Sequence, residues 1–122
     1  MTLRYFIVWP QGTYGLPKPV SGCPANWQDG WIKQDLENSN PRSEFSVDLN
    51  LHMEATLTGG DIRRSFCIKT STDTTKSWPA GSYCIYKKNQ CPSGMNSGSI
   101  KWDNEDDTKR NSKGGTLPDG TF

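Results

Sequence analysis

The chain has 122 residues, 32% of them hydrophobic, with 12 Gly, 8 Pro and 4 Cys, and 14 basic residues set against 13 acidic ones leave a net charge of +1. That length allows one small domain with a modest core, rich in turns and short strands. The balanced charge excludes a field strong enough to gather phosphates, so neither nucleic acid nor an anionic membrane surface is an expected partner, and no stretch is long enough to span a bilayer.

In chain order, the first predicted element is a strand over LRYFIV, residues 3 to 8, which Trp9-Pro10 ends because proline cannot donate to a ladder. MTLRYFIVWP is too short in its apolar run, and too interrupted by Arg4, to be a signal peptide, so a leader is expected upstream. A long loop follows to about Gly30, since Gly12, Gly15, Pro17, Pro19 and Gly22 disfavour helix. FSVDLNLHMEATL, from Phe45 to Leu57, alternates strictly and predicts a long, bent or bulged strand with one buried face. TGGD, Thr58 to Asp61, turns the chain. SFCIKT (65 to 70) and SYCIYKK (82 to 88) are two further strands, separated by a polar stretch. Without a helical period anywhere, the expected class is all-β: a loop-rich, disulfide-supported β-sandwich or irregular barrel-like domain.

An internal repeat organises the chain. Trp9, Pro10, Gly12 and Tyr14 recur as Trp78, Pro79, Gly81 and Tyr83 at an offset of 69. At an offset of 68, Cys23-Pro24, Gly30, Ile32-Lys33, Asp35 and Glu37 recur as Cys91-Pro92, Gly98, Ile100-Lys101, Asp103 and Glu105. This many matches in register predicts a duplication within one domain, 1–122, with units at about 9–70 and 78–122. The second unit ends before any strand of the SFCIKT kind and so reads as incomplete, an expectation that the turn-like LPDG near the end supports.

Four cysteines with no CxxC pair and a single His fit disulfides better than zinc, which points outside the cell. The repeat predicts a Cys23–Cys67 bridge and leaves Cys84 and Cys91 either without partners or joined to each other.

WPQGTYGLP, GCPANWQDGW, QDLEN, FCIKT, WPAGSYCIYKK, CPSGMNSGSIKWDNED and GGTLPDG, in this order and over nearly the whole chain, resemble the C-terminal domain of apextrin, ApeC. In that family the pattern runs past LPDG into a segment with paired cysteines. The resemblance implies that the first of these would serve Cys91 and the second Cys84. It also implies a secreted invertebrate module of innate defence or extracellular matrix, some members of which bind peptidoglycan.

Two sets of residues are candidates for contact. Trp27, Trp31 and Trp102 have no aromatic counterpart in the other unit, so they are better placed to stack on sugar rings than Trp9, Trp78, Tyr14 and Tyr83, whose recurrence assigns them to packing. Asp35 and Glu37 in the first unit, and Asp103, Glu105 and Asp106 in the second, offer the oxygen donors that calcium takes. Their spacing is no EF-hand, and clustered loop carboxylates ordinarily meet solvent or cap amides. No acid pair stands out as glycosidase machinery, and His52 has no nucleophile motif to serve, so no catalysis is expected. The expected function is binding of bacterial cell-wall glycan, with a matrix or adhesion module as the alternative and a cell-wall hydrolase a distant third.

Overall fold

Extended pairing of apolar runs with glycine-rich partners builds this domain. The computed structural model describes residues 8–35, 52–58, 60–72, 75–101 and 111–122. Six strands form one antiparallel sheet: β1 (Tyr14–Pro17), β2 (Gln28–Asp35), β3 (Ala55–Thr58), β4 (Asp61–Lys69), β5 (Tyr86–Lys87) and β6 (Ser112–Gly115). Their order is β5-β1-β4-β2-β6, and β3 also pairs with β4. The fold is therefore all-β, as the sequence leads one to expect.

β4 is the axis of the sheet. Its run SFCIK is buried from Ser65 to Lys69, because β2 covers one edge throughout while β3 and β1 share the other end to end. Ile32 from β2 packs with Phe66 and Ile68 from β4, and Leu117 closes that cluster. Tyr14 is wholly buried. A side chain of this size contributes about 1.5–3 kcal/mol when buried, so this small set supplies much of the folding force.

Two backbone approaches demand glycine. At Gly30, in register with Gly115, an added Cβ would lie 2.0 Å from the Thr116 carbonyl oxygen. Gly115 itself has φ +71° and sits against the Asp29 carbonyl, where a Cβ would come within 2.4 Å. Together they let β6, which has almost no apolar side chain, lie close along β2.

Two expected elements differ. The loop expected before Gly30 contains β1, a strand of YGLP whose register with Lys69, Ile68, Cys67 and Phe66 overrides its glycine and prolines. SYCIYKK contracts to the two residues of β5, because only Tyr14 and Gly15 offer it ladder positions and the chain reverses at Asn89, which has φ +68°. Of the long alternating strand, residues 45 to 51 lie outside the described residues. Ala55–Thr58 is β3, and Met53 bridges Pro19. The expected turn at TGGD is where β3 folds onto β4, with Thr58 opposite Asp61 and Gly60 at φ +85°. The strand expected over residues 3 to 8 lies outside the described residues, apart from the exposed Val8.

Candidate functional site

A mainly apolar groove is built from local turns around the disulfide. Cys23 and Cys67 are joined, with a Cα–Cα distance of 5.5 Å, which pins the loop after β1 to the last third of β4. The next residues form a turn in which the Trp27 amide donates to the Pro24 carbonyl at 3.2 Å, with Asn26 at φ +69°. Asparagine tolerates that left-handed conformation better than most residues. The turn delivers the Trp27 indole against Trp9, with ring centroids 4.9 Å apart, and against the edge of Tyr14 at 5.6 Å. Tyr14 in turn meets Trp78 at 4.6 Å. Contacts of this kind add about 0.5–1.5 kcal/mol each beyond area burial.

Trp9 and Trp27 wall a groove of about 630 Å³, completed by Leu16, Pro19, Met53 and the disulfide itself. Its volume lies within the range of small-ligand sites, and its lining is mainly apolar. Pro19 and Met53 belong to a strap in which the Val20 amide donates to His52 and the Glu54 amide to Lys18, at 2.9 and 2.8 Å. Lys18 clamps the strap through ion pairs to Asp29 at 3.1 Å and Glu54 at 3.2 Å. Hydrogen bonds to Asp29 and then Glu54 raise the Lys18 pKa. A hydrogen bond from Ser65, followed by that from Lys18, holds the Glu54 carboxyl below its ordinary range.

The structure separates the residues that the sequence grouped. Trp27 lines the groove, while Trp31, on β2, lies elsewhere with the Arg63 guanidinium 4.5 Å above its ring and Gly114 beneath its edge. Asp35 is buried at the end of β2, opposite Asp61, and its amide donates to Asn111. Glu37, Trp102, Asp103, Glu105 and Asp106 lie outside the described residues. Among the described residues no group of three or more His, Cys, Asp or Glu is placed to hold a metal. Trp9, assigned to packing by its recurrence, both packs on Trp27 and walls the groove. Met53 and Pro19 carry no motif that announces them; the bridge between them depends on a pairing that only the folded chain reveals. Cys84 and Cys91 are free thiols, the first exposed and the second half-buried.

A single sheet stapled by a disulfide, with an indole-walled groove beside the bridge, defines a small all-β domain. Residues 9–122 match the family model of ApeC, the C-terminal domain of apextrin, and the chain belongs to that family. ApeC is a non-catalytic domain family, and together with the disulfide it points to an extracellular domain. No curated protein and no solved structure matches the chain. Among the described residues, no helix is long and apolar enough to cross a membrane.

Proposed function

We propose that this domain is a secreted recognition module that binds bacterial cell-wall glycan such as peptidoglycan in invertebrate innate defence. The observation that supports the reading is the groove itself, where two indoles stand beside a rigid wall of prolines and a disulfide. Pyranose rings present C–H faces that stack on such indoles, and acetamido methyl groups suit an apolar floor. Ordered by a bridge and a turn, the groove binds without first paying for its own organisation.

The test is co-sedimentation of the purified domain with insoluble peptidoglycan. Trp27→Ala is expected to weaken binding about tenfold, the equivalent of one lost stacking contact, while Trp31→Ala leaves it unchanged. Undiminished binding by Trp27→Ala with an unaltered circular dichroism spectrum would discard the groove. Loss of binding on chelation, or in an Asp103→Ala, Glu105→Ala double variant alone, would move the site to the acidic run.

The free thiols of Cys84 and Cys91 support a second reading, a matrix or adhesion module linked to its neighbours by disulfides. Multimers on a non-reducing gel, combined with no glycan binding, would favour it.

A further inference from the structure

The strand registers place the groove and a set of charges on one face of the sheet. Leu16 stands opposite Cys67, and Cys67 opposite Asp29, so the three share a row and a face across β1, β4 and β2. Leu16 and Cys67 line the groove. Asp29 therefore stands at its margin, one strand beyond the disulfide. The next row on the same face holds Ser65 and Trp31, and the Lys18 amide donates to the Ser65 carbonyl at 2.9 Å.

Charge is spread unevenly over this face. None of the residues that line the groove is charged. At its margin one ammonium serves two carboxylates, since Lys18 Nζ lies 3.1 Å from Asp29 Oδ2 and 3.2 Å from Glu54 Oε2. The lysine is the shielded member, its side chain 18% exposed against 66% for Asp29 and 48% for Glu54. The charge that meets solvent is therefore negative. Two further cations stand nearby: Lys76 donates to the carbonyl of Val8, next to Trp9 in the chain, and the Arg63 guanidinium lies over the Trp31 ring.

The groove walls complement that margin. The Trp9 and Trp27 rings are inclined at 58° to each other, and Met53 adds an unbranched apolar side chain. An indole face carries the negative side of its quadrupole and attracts an ammonium, while its area accepts methylene groups. A guest with an aliphatic shaft and a cationic tip satisfies both the walls and the margin. A neutral sugar satisfies the walls alone, and an anion is repelled by the carboxylates.

The geometry points to a primary alkylammonium as a guest of the groove, its methylenes against Trp9, Trp27 and Met53 and its charge at Asp29 and Glu54. The inference rests on the reading of the groove as a cell-wall site, and the occupant is the side-chain amine of the diamino acid in a peptidoglycan stem peptide. A volume of about 630 Å³ holds that shaft together with a sugar ring. The domain thereby favours wall whose stems are not cross-linked, because cross-linking turns the amine into an amide, which has no charge and a single N–H to donate.

The test compares untreated peptidoglycan with peptidoglycan whose free amines are capped by acetic anhydride, in the same sedimentation assay. The wild-type domain is expected to bind the untreated material at least about tenfold more tightly, the contribution of one hydrogen bond to a charged partner. In Asp29→Asn, where Lys18 keeps its pair with Glu54, that ratio should fall toward one while capped material sediments as with wild type, which separates lost recognition from lost folding. Nα-acetyl-lysine amide should shift the tryptophan emission, and Nα,Nε-diacetyl-lysine amide at the same concentration should not. Equal binding of the two peptidoglycans, or no response to the lysine derivative, would overturn the ammonium and leave the glycan reading standing. A ratio that persists in an Asp29→Asn, Glu54→Gln double variant would overturn the margin. Glucosamine acting as strongly as the lysine derivative would overturn the occupant in favour of a hexosamine amine. Sedimentation with neither peptidoglycan would overturn the cell-wall reading and the occupant together.

Discussion

Tyr14 joins three parts of the molecule through one ring. It lies between the Trp27 and Trp78 indoles, its hydroxyl donates to Pro10, and the Lys69 ammonium stands 5.6 Å from its centroid. Burial pushes its pKa from 10.0 to about 12. The unfolded chain therefore gives up this proton before the folded one. The stability involved is intact below pH 10 and is lost as pH rises toward 12. Wild-type protein is expected to unfold along this alkaline limb as tyrosinate absorbance appears. Tyr14→Phe should flatten the limb while losing about 1 kcal/mol at neutral pH with its hydrogen bond. Gly30 and Gly98 make a second comparison at this scale, because they are counterparts in the repeat with opposite surroundings. A Cβ on Gly30 meets backbone at 2.0 Å, whereas one on Gly98 meets nothing within 4 Å. Gly30→Ala should cost upward of about 2 kcal/mol in urea unfolding, and Gly98→Ala close to nothing.

Among the elements, the strap over the groove carries its own acid sensitivity. Because the Glu54 pKa is lowered in the folded state, its contribution is present above the ordinary carboxylate range and is lost as pH falls below it, through the lowered folded value. Asp119 behaves alike, held down by Lys87 and then by the Asn89 amide, and it ties the end of the chain to β5. Acid below the ordinary carboxylate range is therefore expected to release hydrogen-exchange protection over residues 52–54 first. In Glu54→Gln that release should no longer follow pH. How legible an element was depended on where its pairing information lies. β4 could be read directly, because SFCIK is an apolar run that no other structure suits. β1 could not, since YGLP has poor strand propensity and is held extended by β4. β6 was invisible, because Ser112, Lys113, Gly114 and Gly115 say nothing until Gly30 and Trp31 lie beside them.

At the scale of the whole molecule, one covalent tie spans 44 residues of an otherwise small core. Closing a loop of that length stabilises by about 4 kcal/mol in the chain-entropy account, a large share of what a domain of this size possesses. Reduction should lower the melting temperature by many degrees and, since Cys23 and Cys67 also line the groove, should abolish sedimentation with peptidoglycan. Full binding in reductant would separate the groove from the fold. The cysteine pair was legible because the repeat marks which cysteines correspond. The groove was not, because its walls come from three separated stretches and one of its indoles, Trp9, looks like packing when only recurrence is considered.

The Pro92 ring sits where a side chain on Gly12 would be, with its Cγ 2.9 Å from the position of an added Cβ. Gln11 reaches the same turn through Ser93, and the Trp78 indole returns to the Gln11 carbonyl. The first copy of the motif thus serves as a socket for the second, and the arrangement is one-sided: a Cβ on Gly81, the counterpart of Gly12 in the repeat, would meet only the Tyr83 ring. That joint constrains divergence: a side chain cannot arise at Gly12 while Pro92 stays, and a change at either must be answered across the joint. The two stretches are therefore expected to vary together, even though 80 residues of chain separate them.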